Sequence, residues 1–345
     1  MMNKKIGICQ NLDMWNHEGG STESYIRYCI DNNLDYEVID PYANNSIEKF
    51  KECGYVLWNI QNYLWADLLE ARNLLLSVER LGVKVFPNHN TNWHFDDKIA
   101  EMYAFKSINA PIPQSWVFYS LDSTTTFLNE AKYPLVAKLR NGSGASNVKL
   151  LKSKSQAMRY AKRMFGKGFD PSPSLLYKAY SKAQSSYSWD TFISRVKKIP
   201  QFLYTRSRAK MMPIEKGYCY FQEFIENDGY DIKVVVIGDK LSFLARNVRS
   251  GDFRASGGGD FYYDKSLVTK NIIESAFQTA DKLGLQCVGF DYVVNKSTGQ
   301  GLIIEMCYGF DFAVIYDANG YFTRNGEWIN TPVSIPNEIV ANIMK

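Results

Sequence analysis

Gly289-Phe290-Asp291-Tyr292 and, a short turn later, Ile303-Ile304-Glu305-Met306 each set one carboxylate inside an otherwise apolar run. An ionised acid is expensive to bury unless it is paired or bound to a cation. The two runs read as strands joined by residues 296–301, an arrangement in which Asp291 and Glu305 meet on one sheet face. Hard oxygen ligands that also bridge to phosphate oxygens are how Mg²⁺ is normally held. Two structural, salt-bridged acids are the plainer alternative.

Upstream, Tyr220-Phe221-Gln222-Glu223-Phe224-Ile225 is an apolar strand whose end carries an amide, an acid and free backbone groups. Such an end has the chemistry for a purine edge, with Asp231 toward the ribose, although an ordinary edge strand reads the same way. Further back, Lys138 closes the strand 133–139, and the turn Asn141-Gly142-Ser143-Gly144-Ala145-Ser146 precedes the strand 147–151. Small residues let backbone N–H groups surround an anion, and the lysine adds a point charge. A plain hairpin has the same composition.

The rest of the chain supplies a frame. Strands at 4–9, 35–39, 55–58 and 84–86 alternate with helices at 20–32, 46–53 and 63–80, the pattern of a small parallel α/β sheet. No GxGxxG follows the first strand, so Gly19-Gly20 is only half a phosphate loop. A helix at 96–107, strands at 115–119, 133–139 and 147–151, and a helix at 155–165 make an α+β portion. From 219 come strands at 219–225, 231–237 and 240–248, the last two around a Gly238-Asp239 hairpin turn, then an amphipathic helix at 269–284. Turn signals at Asn319-Gly320 and Asn325-Gly326 punctuate the tail.

The reading expects three parts: an α/β domain at 1–95, an α+β lobe at 96–218 and a final lobe at 219–345. Within the second, 166–216 holds ten Lys or Arg against three acids. That net of +7 exceeds the +4 of all 345 residues, leaving about −3 on the rest. A solvated insertion and a docking surface for an anionic substrate both fit. An overall +4 is too weak to imply nucleic acid, and a 46% apolar, 22% charged composition excludes wholesale disorder and coiled coil. Six scattered cysteines without a CxxC, and only His17, His89 and His94, form no recognisable Cys/His metal cluster and suit a reducing cytoplasm. No signal-peptide core opens the chain, and no apolar run reaches the ~18 residues of a membrane span.

Taken in order, Lys98 after Asp96-Asp97, Lys138 with its glycine turn, Phe221-Gln222-Glu223-Phe224-Ile225, Asp231-Ile232-Lys233, Gly289-Phe290-Asp291 and Ile304-Glu305 resemble the ATP-grasp superfamily. The similarity is to its peptide-ligase-like branch, which includes glutathione synthetase, D-alanine–D-alanine ligase and the ribosomal-protein glutamate ligase. It covers about 1–310 and implies a small α/β domain followed by a two-lobed ATP-grasp fold. It further implies ATP phosphates on Lys98 and Lys138 under a flap of Gly142, Ser143, Gly144, Ala145 and Ser146. Gln222, Glu223 and Ile225 would line the adenine site, Asp231 would bind ribose, and Asp291 and Glu305 would hold one or two Mg²⁺ ions. Arg246 matches a basic residue near the reacting phosphoryl group, and Gly251-Asp252-Phe253-Arg254 looks like the branch's substrate or phosphate loop. Arg254, Arg246 and Lys233 are the expected catalytic cations.

The implied reaction is ATP-dependent joining of a carboxylate to an amine, or less favourably a thiol, through an acyl phosphate. Small-molecule substrates are expected, with an anionic or sugar-linked partner and a homodimer left open. Departures from the branch's pattern point elsewhere. Cys307 stands where an asparagine oxygen is usual, and sulfur is a poor Mg²⁺ ligand, so either water or Asp311 supplies that oxygen or the second metal site is weak. Lys233 replaces the arginine of Asp-x-Arg and loses its bidentate fork. Ser256 replaces a frequent asparagine. A regulatory ATP-binding module and a small-molecule kinase therefore stand as alternatives.

Overall fold

The computed structural model describes residues 5–10, 21–62, 64, 66–142, 147–171, 212–248 and 261–345. Gly19-Gly20, Ser143 to Ser146, the Gly251–Arg254 loop with Ser256, and residues 172–211 of the basic insertion lie outside the described residues.

The first layer is a parallel sheet. Strands β1 (Ile6–Cys9), β2 (Tyr36–Ile39), β3 (Tyr55–Leu57) and β4 (Lys84–Phe86) lie in the order β2-β1-β3-β4. Helices α1 (Ser21–Asp31) and α2 (Ser46–Lys51) connect the first three, and a π-helical turn, Asp67–Ala71, leads into α3 (Arg72–Arg80) before β4. β1 is buried along its whole length, as an all-apolar central parallel strand should be. Gly7 is needed there, because a Cβ would lie 3.0 Å from both Cys53 Sγ and Ile39 Cδ1.

A short α4 (His89–Asn92) precedes α5 (Lys98–Ser107), whose start is fixed by the Asp97 carboxylate accepting the Ile99 and Ala100 N–H groups. Strands β5 (Ser115–Phe118), β6 (Leu135–Lys138), β7 (Val148–Leu151) and β8 (Cys219–Glu223) form an antiparallel sheet in the order β5-β8-β6-β7. Helices α6 (Leu121–Glu130) and α7 (Lys154–Met164) pack Leu128, Ala157, Ala161 and Met164 into its core. The sequence groups β8 with the third portion; the structure sets it between β5 and β6, where Cys219 and Phe221 complete this sheet's apolar face. The polar, threonine-rich α6 is unforeseen in the sequence; it is set by the Ser120 side chain capping Ser123 N–H and by inward Thr124 and Leu128.

The third sheet carries β9 (Tyr230–Ile237), β10 (Lys240–Asn247), β11 (Phe261–Tyr262), β12 (Cys287–Val294), β13 (Gly301–Cys307), β14 (Tyr321–Phe322) and β15 (Trp328–Ile329). Its order is β13-β12-β9-β10-β14-β15, with β11 on β10. Helix α8 (Lys270–Leu283), ended by left-handed Gly284, covers one face by packing Ile272, Ala276 and Phe277 on Ile232, Val234 and Val236. Strand alternation sends Val235 and Ile237 to the other face, into a core shared with the first sheet. Further along that face the same alternation delivers Asp231 and Lys233. A short α9 (Phe312–Tyr316) and α10 (Ile335–Met344) follow. Neither is legible from the tail's turn signals, and α10 returns to the first layer, lodging Ile335, Ile339, Val340 and Ile343 beside Ile6 and Tyr25.

Among the described residues no helix is long and apolar enough to cross a membrane. Because Ile339 is 3% exposed within this shared core, Ile339→Ala should cost about 2–5 kcal/mol of stability, read as a lowered midpoint in urea unfolding.

Candidate functional site

Four strands of the third sheet place charge where apolar residues would be expected. Asp291 on β12 stands directly opposite Glu305 on β13 and, on its other side, opposite Lys233 on β9. One step along, Asp231 on β9 faces Arg246 on β10. Directly opposed residues share a face, so these five side chains form one patch. Lys233 Nζ lies 2.5 Å from Asp291 Oδ1. Arg246 grips Asp231 with both arms, Nε to Oδ1 at 2.8 Å and Nη2 to Oδ2 at 2.6 Å, and Nη2 also lies 3.3 Å from Asp291 Oδ1. Burial alone would push the Asp291 carboxyl up, yet Lys233 and Arg246 hold it below the usual carboxylate range. Burial likewise opposes the Arg246 charge, and Asp291 with Asp231 overcomes it.

A second group faces this patch from the preceding sheet and from α5. Lys98 Nζ donates to Gly142 O at 2.7 Å and lies 3.5 Å from Glu305 Oε1. Burial works against its charge, but the Glu305, Asp96 and Glu101 carboxylates prevail and raise its affinity for the proton. Lys138 Nζ donates to Ile304 O at 2.9 Å; burial, reinforced by the Lys98 charge, pulls it down to about 8. Asp96 accepts the Gly142 N–H with both carboxylate oxygens, at 3.1 and 3.2 Å. Glu101 Oε2 accepts the Met306 N–H at 3.0 Å, and burial with the nearby Glu305 raises its carboxyl to about 8.

The structure thus gathers Lys233, Arg246, Asp291 and Glu305 at one cavity and sets Lys98, Lys138 and Gly142 beside its Glu305 end through contacts to Glu305, Ile304 and each other. Gln222 is buried, donates to Ser115 Oγ at 3.1 Å, and borders a void of about 10 Å³ with Lys98 and Glu101. Ile225 is buried beyond the end of β8, whereas Glu223 is exposed, its carboxylate 3.4 Å from Gln114 N. Asp231, expected at a ribose, has both oxygens engaged by Arg246. Asp96 and Glu101 are the residues that the sequence reading missed. Glu101 left a signal, an acid on the buried face of α5 among Lys98, Met102 and Phe105, whereas Asp96 precedes the helix cap and left none.

A cavity of about 230 Å³ opens onto this patch. Among the described residues, Asp96, Glu101, Asp291, Glu305 and Asp311 border it with the cations Lys233 and Arg246, and Phe95, Phe310 and Val314 form its apolar side. Asp291, kept ionised by its two cations, and Glu305 opposite it offer the hard oxygen ligands that suit a cation. Among the described residues no cluster of three His, Cys, Asp or Glu could hold a metal ion by itself. Asp291 and Glu305 are the pair that could share one, with the remaining oxygens coming from phosphate and water, the usual situation for Mg²⁺. Cys307 is no part of the set: burial pushes its thiol up to about 12, and its sulfur accepts the Gly309 N–H. Asp311 spends one oxygen capping α9 through Ala313 N–H.

No protein-family model and no curated protein matches the chain. Solved structures do. A RimK-domain ATP-grasp protein from Sphaerobacter thermophilus superposes with a TM-score of 0.54 at 13% identity, covering 99% of this chain and 100% of that one. The ATP-grasp ligase PsnB, complexed with a minimal precursor, gives 0.56 at 12% identity, covering 99% of both chains. D-Alanine–D-alanine ligase from Bacillus anthracis, complexed with ATP, gives 0.53 at 12% identity over 90% of this chain and 87% of that one. With similarity running through all three sheets, this chain has the ATP-grasp fold.

Proposed function

We propose that the chain is an ATP- and Mg²⁺-dependent ligase that joins a carboxylate to an amine through an acyl phosphate. One observation carries the reading: the cross-strand pair Asp291 and Glu305 lies beside two buried lysines, Lys98 at 3.5 Å from Glu305 Oε1 and Lys138 bonded to the neighbouring Ile304 O. Carboxylates for a cation, and ammonium groups for phosphate beside them, are what phosphoryl transfer requires of a protein. The ATP-bound and ligase-type structures of the same fold support it.

Asp291 and Glu305 would hold Mg²⁺, which would supply charge neutralisation for the phosphates. The protein's own groups do the rest. Lys98 and Lys138 have ammonium groups already directed at oxygen acceptors, so exchanging a carbonyl or carboxylate for a phosphate needs little reorganisation. Gly142, gripped through its N–H by Asp96 and its C=O by Lys98, anchors the start of the glycine turn. Lys233 and Arg246 keep Asp291 ionised and aimed. Buried Gln222 and Ile225 are assigned to the adenine end and the exposed Glu223 to its rim, while Asp231 orients Arg246. The resemblance adds Arg254 and the flap residues Ser143 to Ser146. The apolar wall of Phe95, Phe310 and Val314 would keep water from an acyl phosphate.

A regulatory ATP-binding module is the second reading. It is favoured by one observation, that Asp291 is already neutralised by Lys233 and Arg246 and so has a structural reason to persist without a metal. The two readings separate on ADP release measured with pooled carboxylates and amines. A ligase releases ADP only with a substrate pair, and Asp291→Asn should lower that rate on the order of a hundredfold while ATP still binds. ATP binding with no stimulated ADP release by the unaltered protein would select the regulatory module, and a phosphorylated alcohol as product would identify a kinase.

Lys138 gives a pH dependence with a definite sign. Its ordinary value of 10.5 is lowered to about 8 by burial and Lys98, against the opposing Glu305, Glu101 and Asp291. The ammonium that attracts phosphate is therefore fully present below pH 8 and lost above it. ATP affinity should fall above about pH 8, by up to roughly tenfold per unit. Titrating ATP into Lys138→Arg should show a shallower fall, since a guanidinium keeps its charge.

A further inference from the structure

Among the described residues, strand β13 is the outermost strand of the third sheet and pairs with β12 alone. Its pairing is also irregular, because the register shifts between Asp291 and Tyr292, beside the position opposite Glu305. A strand with one neighbour and a bulge is weakly fixed, and a slip of one residue turns every side chain to the opposite face. Glu305 would then point away from Asp291. Something other than strand pairing has to hold the open edge.

Three groups from earlier in the chain do so. Pro111 O accepts the Ile303 N–H at 2.8 Å, Lys138 Nζ donates to Ile304 O at 2.9 Å, and Glu101 Oε2 accepts the Met306 N–H at 3.0 Å. Lys138 and Glu101 are 5% and 3% exposed, and they engage the residues immediately before and after Glu305. The proposed function gives Lys138 a phosphate and leaves Glu101 without a task. Lys138 would have to release Ile304 to reach ATP, whereas Glu101 can keep Met306 throughout.

We infer that Glu101 is a positioning residue for Glu305, holding it opposite Asp291 by pinning the next peptide of β13 to helix α5. The assignment rests on the metal-dependent ATP reading above. It also ties the geometry of the carboxylate pair to the contact between α5 and the third sheet, so the pair is complete only when those two bodies are together.

The test uses Mn²⁺ as probe, counted by electron paramagnetic resonance with a non-hydrolysable ATP analogue present, and hydrogen exchange at the Met306 amide. Glu101→Ala should weaken Mn²⁺ binding on the order of tenfold and speed Met306 exchange. Glu101→Gln, whose carboxamide oxygen still accepts the N–H, should restore both. Unchanged Mn²⁺ affinity in Glu101→Ala overturns the assignment, even if Met306 exchange quickens, since the contact would then be structural only. Failure of Glu101→Gln to outperform Glu101→Ala also overturns it. Should the unaltered protein bind no Mn²⁺, the metal reading itself falls, and unchanged Met306 exchange in Glu101→Ala would remove the clamp as well.

Discussion

An ionised carboxylate at 5% exposure on an apolar sheet persists only if opposite charge is delivered to it, and Asp291 sets that condition for its surroundings. Lys233 from β9 and Arg246 from β10 supply it. Arg246 in turn needs Asp231, which accepts from its Nε and from the same Nη2 that approaches Asp291. Removing either cation would leave a buried charge uncompensated, so the three central strands are tied together by that requirement as well as by their ladder. The apolar half of the same face has no such demand and is free to close against the first layer.

The contact between the two lobes obeys the same rule. Lys98, Lys138, Asp96 and Glu101 are all buried, and each finds its partner on a backbone group or carboxylate of another segment. Backbone atoms are prominent among these partners. A peptide oxygen or N–H satisfies a buried charge without adding a second one.

Much of this was legible in the chain because local pattern carried it. Acids in apolar strands announced Asp291 and Glu305, and lysines at the head of a helix and the end of a strand announced Lys98 and Lys138. What was not legible depended on tertiary partners. Nothing near Asp231 in sequence says that Arg246 will occupy both its oxygens; only the β9–β10 register does. Glu101 reads as one more acid in a helix until Met306 is placed against it. Cys307 reads as a damaged metal ligand, whereas burial makes it a neutral thiol with a backbone donor of its own. Strand β8 is assigned to the wrong neighbours for the same reason: strand order is a property of pairing, and its own residues would satisfy either sheet.

Helix α10 has one more consequence. Its Ile335, Ile339, Val340 and Ile343 fill the core that β1 and α1 begin, some 300 residues earlier. At the usual ribosomal pace of about 5–20 residues per second, that interval is roughly a quarter of a minute to a minute. Throughout it, the nascent first sheet carries an uncovered apolar surface beside a growing chain. A circular permutation moving α10 ahead of β1 would cover part of that surface early, leaving the share that Val235, Ile237, Leu244 and Ile315 fill to come later.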